Sequence, residues 1–321
     1  LVSAPLTIEQ RRLGESGVTV PRLALGCGNF GGVGSLPAFF DAGLDEGQAF
    51  ALMDAAWEAG LTHFDTADAY GGGRSETMIG RWIRSRGVLP LLTSKTYNPM
   101  VEGGDHGLEP ERVVRQLHSS LERLGLDRID AYLAHDFDPD VPYRDTFAAM
   151  QELQDSDLIR AHGVSNFDEA QLRAALQVGT PAAVQNSHSL LDRADEGGLL
   201  ALCAEHEVGY LAFGPLAGGW LTGKYRRGEA FPPGSRMTQR PEPYVAFESD
   251  RVFDALEFLR LRAAERGISM AGLALAWLLG NPLITAIVVG PGRPEHLEPV
   301  REALACELSR AERDALDAAF A

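Results

Sequence analysis

Cysteine is scarce in this chain, and positive charge is outnumbered. The three cysteines, Cys27, Cys203 and Cys306, lie far apart, with no CxxC pair and no metal-ligand spacing. A sparse, odd count argues against a disulfide framework and for free thiols in a reducing compartment. A cytoplasmic protein with no bound metal is the expectation. Lys plus Arg is 29 against 45 Asp plus Glu, a net charge of −16 over 321 residues. Nucleic acid and anionic membranes would repel such a chain. No run approaches the ~18 apolar residues of a membrane helix. The opening Leu1-Val-Ser-Ala-Pro5 also lacks the charged and apolar regions of a secretory signal. An anionic ligand is compatible with this charge only where the few basic residues gather.

What the chain does have is alternation. Residues 10–20 read as a small hairpin around Gly14 and Gly17. Short apolar runs then recur at 22–26, 61–64, 91–95, 129–135, 161–165, 182–185, 209–213 and 285–289. Helical patterns separate them. One starts at Asp45 as N-cap, places Ala49, Leu52, Met53, Ala56 and Trp57 on one face, and stops at Gly60. Others cover 75–86, 109–124, 144–154, 168–177, 197–207, 250–266 and 269–279, and two short ones close the chain at 294–304 and 309–320. In the 109–124 segment Pro110 sits near N1, Val113, Val114, Leu117, Leu121 and Leu124 point inward, and Gly125 is the stop. Strands this short and apolar belong to parallel sheets buried on both faces. Eight βα units without a composition break predict an α/β protein, a (β/α)8 TIM barrel over residues 1–321 as one domain, with an N-terminal β-hairpin and extra C-terminal helices. A polar, Gly/Pro-rich excursion at 215–249 interrupts the pattern. A doubly wound open sheet is the alternative. Gly26-Cys27-Gly28-Asn29-Phe30-Gly31 does match the GxGxxG dinucleotide fingerprint, but no helix opens at its third glycine, so it is rejected as one.

In such barrels the active site lies at the C-terminal strand ends. Those ends carry Asp65, Lys95, His135, Ser165-Asn166 and Gln185 in order, and Tyr70 follows Asp65 on a glycine-rich loop. Each alone could be a polar cap; their recurrence points to a site. A carbonyl accepting hydride develops negative charge on oxygen and needs a proton. Tyr, with a pKa of ~10, donates poorly near neutrality unless a cation lowers that value. Lys95 supplies a cation, Asp65 can fix it, and His135 can hydrogen-bond the carbonyl oxygen.

The ordered motifs Asp65-(x4)-Tyr70-Gly-x-Gly-x-Ser-Glu76, Ser94-Lys95, Leu133-Ala-His135-x-x-Asp138 and Gly163-Val-Ser-Asn-Phe167 together resemble the aldo-keto reductase family, nearest its bacterial and channel beta-subunit-like branch. So do Phe213-Gly-Pro-Leu216, Leu221-Thr-Gly-Lys224 and Val289-Gly-Pro-Gly292. The resemblance implies a barrel that binds NADP(H) without a Rossmann fold and reduces a small-molecule aldehyde or ketone. It implies Tyr70 as general acid, Lys95 and Asp65 tuning it, and His135 orienting substrate. It further implies that Ser165, Asn166 and Gln185 hold the nicotinamide carboxamide, that Phe213 stacks on its ring, and that Asn29 and Phe30 line the pocket. Pro215, Leu216 and Gly218, with Gly290, fall on cofactor-contacting loops. Lys224 and Arg236, in the 215–249 segment, are expected to fold over the phosphates.

Some positions depart from the pattern. Gly214 and His188 stand where Ser and Tyr are common, and His296, Pro299 and Val300 replace the usual adenosine-contacting residues, leaving Arg293 or His296 to substitute. A metal hydrolase using His63, Asp65, Lys95 and His135, and a cofactor-binding regulatory subunit with little turnover, are the rival readings. The substrate is not legible: Phe30, Tyr97, Phe137 and Trp220 form either an aromatic pocket or loop packing. No protein partner is indicated.

Overall fold

In the computed structural model, which describes residues 6–321, a two-stranded antiparallel hairpin comes first, β1 (Gln10–Arg12) with β2 (Thr19–Pro21). Eight further strands follow: β3 (Leu23–Gly26), β4 (His63–Asp65), β5 (Leu91–Thr96), β6 (Ile129–Ala134), β7 (Ile159–Ser165), β8 (Ala183–Ser187), β9 (Gly209–Phe213) and β10 (Ala286–Val289). They pair in parallel, and β10 returns to β3, closing the barrel in the order β10-β3-β4-β5-β6-β7-β8-β9. The eightfold barrel expected from the alternation is therefore present, and the open sheet is excluded.

The helices are α1 (Glu46–Glu58), α2 (Arg74–Arg86), α3 (Pro110–Leu124), α4 (Tyr143–Asp155), α5 (Glu169–Leu176), α6 (Leu199–Glu205), α7 (Arg236–Gln239), α8 (Asp250–Arg266), α9 (Met270–Leu279), α10 (Glu298–Leu304) and α11 (Arg310–Ala319). Their ends follow local chemistry. Asp45 and Gln48, Asp168 and Gln171, and Ser309 and Glu312 each form a reciprocal capping box, satisfying donors the first turn leaves free. Gly125 stops α3 at φ +69. The inward faces of α1 and α3 are those the spacing predicts, except that Trp57 and Val114 are only half-buried.

The hairpin plugs the N-terminal end of the barrel. Leu13, Val18 and Val20 pack on Ala131, Ala161, Ala183, Leu211 and Ala286. Alanines on four strands leave room for the hairpin's larger side chains, each worth roughly 1.5–3 kcal/mol when fully buried. With one end plugged, only the opposite rim is open to chemistry.

The 215–249 excursion is ordered by aromatic packing. Fully buried Trp220 meets Tyr225, Phe231, Phe247 and Phe253 at centroid distances from 5.0 to 6.3 Å. No helix among the described residues is long and apolar enough to cross a membrane.

Candidate active site

β4 ends at Asp65 and β5 carries Lys95 one turn of the pleat from its end. Both side chains are buried, and Lys95 Nζ donates to Asp65 Oδ1 at 2.6 Å and to Thr66 O at 2.8 Å. Gln185 of β8 donates its Nε2 to the other oxygen, Asp65 Oδ2, at 2.7 Å. Asp65 is thus held both from the adjoining strand β5 and from β8 across the barrel mouth.

Tyr70 is carried over this pair by the three glycines that follow it. Gly71, Gly72 and Gly73 have φ of +58, +66 and +89, a path open to residues without Cβ. The Ser75-Glu76 motif pins the other side of the loop. Ser75 Oγ donates to Cys27 O at 3.0 Å, while Glu76 accepts from Ser94 Oγ at 2.5 Å and from Arg123 Nε at 2.7 Å. Lys95 Nζ lies 5.2 Å from the Tyr70 ring centroid, and the His135 ring stands edge-on to Tyr70 at 5.5 Å. Asp65, Tyr70, Lys95 and His135 therefore converge on one rim.

The electrostatics partly revise the expectation for Tyr70. Burial pushes its phenol up, and although Lys95 pulls the other way, the net displacement is upward. The phenol is firmly protonated. Lys95 is pulled down by burial, but Asp65 and Tyr70 outweigh this and keep it above its ordinary value. His135, lowered well below the usual imidazole range by burial and then by Lys95, is neutral.

Ser165, Asn166 and Gln185 also come together. Ser165 Oγ donates to Gln185 O at 2.7 Å, and Asn166, at φ +59, donates its side-chain amide to His135 O at 2.8 Å. Asn29 is tied across to the loop after β10, its Nδ2 donating to Pro291 O at 2.9 Å. Phe30, expected on the pocket wall, is instead completely buried in the core, as is Trp220. Phe213 is half-buried at the end of β9, where it is followed by buried Pro215 and half-buried Leu216. Gly218, at φ +63, lies against the Tyr244 ring. Gly290 has open space where a Cβ would be.

The basic residues do gather. Burial, then Arg293 and Lys224, depress the His296 imidazole, so these three groups lie within electrostatic reach of one another. Arg236 is lowered by burial and next by Arg240, with Tyr244 and Tyr225 opposing. Most arginines here pair with a carboxylate, yet Lys224, Arg226, Arg236 and Arg240, all in the 215–249 segment, make no such pair among the described residues. Arg240 had no sequence signal beyond its spacing four residues after Arg236.

His63, weighed for the metal reading, is buried with Nε2 2.8 Å from Thr93 Oγ1, and no metal-competent cluster of His, Cys, Asp and Glu exists among the described residues. His188, at the departure from Tyr, stacks on Trp277 at 5.7 Å behind the barrel wall. Val300 is buried and Pro299 half-buried at the start of α10, away from hydrogen-bonding roles. Sequence reasoning missed a polar group behind the tetrad: fully buried Asp68 accepts from Thr96 Oγ1 at 2.7 Å, and Arg112 donates to the same hydroxyl at 2.9 Å.

The aldo/keto reductase family model matches residues 22–321. An uncharacterised oxidoreductase of Bacillus subtilis (strain 168) is 32% identical over 324 residues, covering 94% of this chain and 93% of that protein. The L-glyceraldehyde 3-phosphate reductase of Escherichia coli (strain K12) is 32% identical over 317 residues, covering 92% and 88%. The structure of a glycerol dehydrogenase from Gluconobacter oxydans matches with a TM-score of 0.82 at 26% identity, covering 97% and 94%. With the closed barrel and its rim, these matches make the chain a member of the aldo/keto reductase family, an NAD(P)H-dependent oxidoreductase.

Proposed function

We propose that this enzyme reduces a small aldehyde or ketone to the alcohol, using NADPH, with Tyr70 as the proton donor. The observation that carries the reading is the buried Lys95–Asp65 pair set beneath Tyr70 and beside a neutral His135. A protonated phenol has a proton to give, and the adjacent ammonium stabilises the phenolate left behind. A neutral imidazole can donate a hydrogen bond to the carbonyl oxygen, orienting it as negative charge grows there. Gln185 and Lys95 together hold Asp65 in place, which in turn fixes Lys95.

The residues present fit a pyridine nucleotide. Unpaired cations in an otherwise acidic chain suit its phosphates, and the open backbone at Gly290 suits a closely approaching group. Ser165, Asn166 and Gln185 would hold the carboxamide, with Phe213 against the ring and Asn29, Pro215, Leu216 and Gly218 around it. Lys224, Arg236, Arg293 and His296 would take the phosphates, with the 215–249 segment as cover. When bound, the cofactor supplies the hydride. The named activities of the two relatives, on L-glyceraldehyde 3-phosphate and on glycerol, favour small polyhydroxy carbonyls, both with and without a phosphate, as the first substrates to compare.

Tyr70→Phe removes the hydroxyl and keeps the ring. It is expected to lower kcat by ~10²–10⁴, while NADPH affinity measured by fluorescence titration stays near the parent value. Lys95→Met should act in the same direction, and the double variant should lose far less than the product of the two, because the groups act as one unit. Turnover of Tyr70→Phe at close to the parent rate would defeat the assignment.

A further inference from the structure

The charge that acts on His135 itself is the Lys95 ammonium; in the loop that follows His135 the charges are all negative. β5 and β6 end side by side, the His135 backbone N–H donating to Thr96 O at 2.9 Å, so Tyr97 and the residues after His135 leave the same part of the rim. Asp136, Asp138 and Asp140 follow at once. After burial, these three carboxylates are what raise the half-buried Tyr97 phenol, so all three act on the space beside it. Their hydrogen bonds come from neutral backbone: Phe137 N to Asp136 Oδ1 at 2.9 Å, Leu108 N to Asp138 Oδ2 at 2.7 Å, and Asp140 N to Asp138 Oδ1 at 3.0 Å.

No compensating cation reaches them. The neighbouring arginines are engaged elsewhere: Arg112 with the carbonyls of Gly107, Asn98 and Asp105, Arg115 with the Asp105 carboxylate, and Arg144 with Asp145. Among the described residues no ion pair involves Asp136, Asp138 or Asp140. Asp136 is half-buried, and that burial raises its pKa, as expected for a carboxylate without a cationic partner. At the base of this rim His135 is only 9% exposed and its Nδ1 has no hydrogen-bond partner among the described residues. Lys224, Arg226, Arg236 and Arg240, which make no ion pair among the described residues, lie on the segment that follows β9, the strand diametrically across the barrel from β5. The segment after β9 suits an anion; the loop after β6, beside Tyr97, does not.

Resting on the carbonyl-reductase reading, we propose that the substrate site selects by charge: it takes uncharged or cationic carbonyl compounds and rejects phosphorylated and carboxylated ones, with Asp136 as a specificity-determining residue. The physical basis is repulsion between like charges at a partly buried rim, where solvent and salt screen less than on an open surface. Specificity of this kind comes from penalising the wrong ligand, without added contacts to the right one.

The test uses three size-matched aldehydes, para-carbamoyl-, para-carboxy- and para-trimethylammonio-benzaldehyde, with NADPH at low and raised salt. The carboxylate should show kcat/KM lower than the carboxamide by roughly tenfold, with the trimethylammonium compound at least equal to the carboxamide. Raised salt and Asp136→Asn should each narrow the anion-to-neutral gap. Asp140→Asn, at an exposed position where folding is not in question, should narrow it less. Equal kcat/KM for anion and neutral in the parent, or a gap that neither variant changes, overturns the proposal while leaving carbonyl reduction intact. Failure to reduce an aldehyde of any charge overturns both.

Discussion

Asp68 lies between Asp65 and Tyr70 on the loop that carries the proposed proton donor, and it is fully buried. Thr96 satisfies its Oδ2, but Oδ1 has no partner among the described residues. Burial is the main reason its pKa rises from 3.8 to about 7, with Glu76 adding to the rise and Thr96, Arg112 and Arg123 opposing it. A carboxyl whose folded pKa lies above its unfolded one binds an extra proton in the folded state between those values. Its stabilising contribution is present below pH ~4 and is lost as pH rises to about 7, a loss on the order of 4 kcal/mol. Asp68→Asn should therefore gain in urea midpoint over the parent as pH is raised from 4 to 7; a gap constant across that range would refute the assignment. Nothing in the sequence marks Asp68 as different from other loop aspartates, because its burial is created by β5 and α3, which join it only in the fold. Asp65, Lys95 and His135 were legible because each interrupts or ends an apolar run, where a charged or polar residue has no local reason to be. Asp136 was hidden by its neighbour: beside a motif histidine, an ordinary Asp reads as surface.

Two glycine-rich loops interlock beneath Tyr70. A Cβ on Gly71 would come within 2.8 Å of Gly31 and of Phe30 O, and one on Gly32 within 2.7 Å of Gly71 Cα. Gly71 N donates to Gly34 O at 3.3 Å, and Arg74, itself paired with Asp41 at 2.6 Å, donates to Gly71 O at 2.7 Å. The backbones approach too closely for side chains, so the loop after β3 sets the height of Tyr70. Gly71→Ala should cost ~1–3 kcal/mol from its left-handed φ alone, with the contact strain in addition, and should lower kcat as well as Tm. Gly17→Ala is the control: its φ is +76, but nothing lies within 4 Å of the added carbon, so only the conformational cost applies. If thermal unfolding and turnover showed the two variants to be equivalent, the interlock would not be what positions Tyr70. Capped helices and apolar strands were readable because their signals are local. The GxGxxG at 26–31 was rejected as a dinucleotide fingerprint because no helix opens at its third glycine, but its use, making room for a second loop, depends on residues forty positions away.

The net charge of −16 conceals a division of labour between two sides of the barrel mouth. Unpaired basic residues follow β9, and unpaired aspartates follow β6. An arginine forms charge-assisted bonds to a 2′-phosphate that a 2′-hydroxyl does not match. NADPH is expected to bind more tightly than NADH in the parent, and Arg236→Ala should shrink that ratio; equal affinities by fluorescence titration would overturn the NADP preference. A composition reads only the sum of such charges, whereas function depends on their separation, which the closed topology imposes. That closure also joins the chain's extremes. Arg11 donates to the carbonyls of Pro282 and Ile284, and Arg22 to those of Leu279, Asn281 and Ile284, across 257 to 273 residues of sequence. During synthesis, the hairpin and first barrel strand emerge long before the carbonyls that receive these arginines exist. Such sequence-distant contacts slow folding, so the nascent protein must carry an unsealed edge until β10 has left the ribosome, and the seam between β3 and β10 is where chaperone dependence should concentrate.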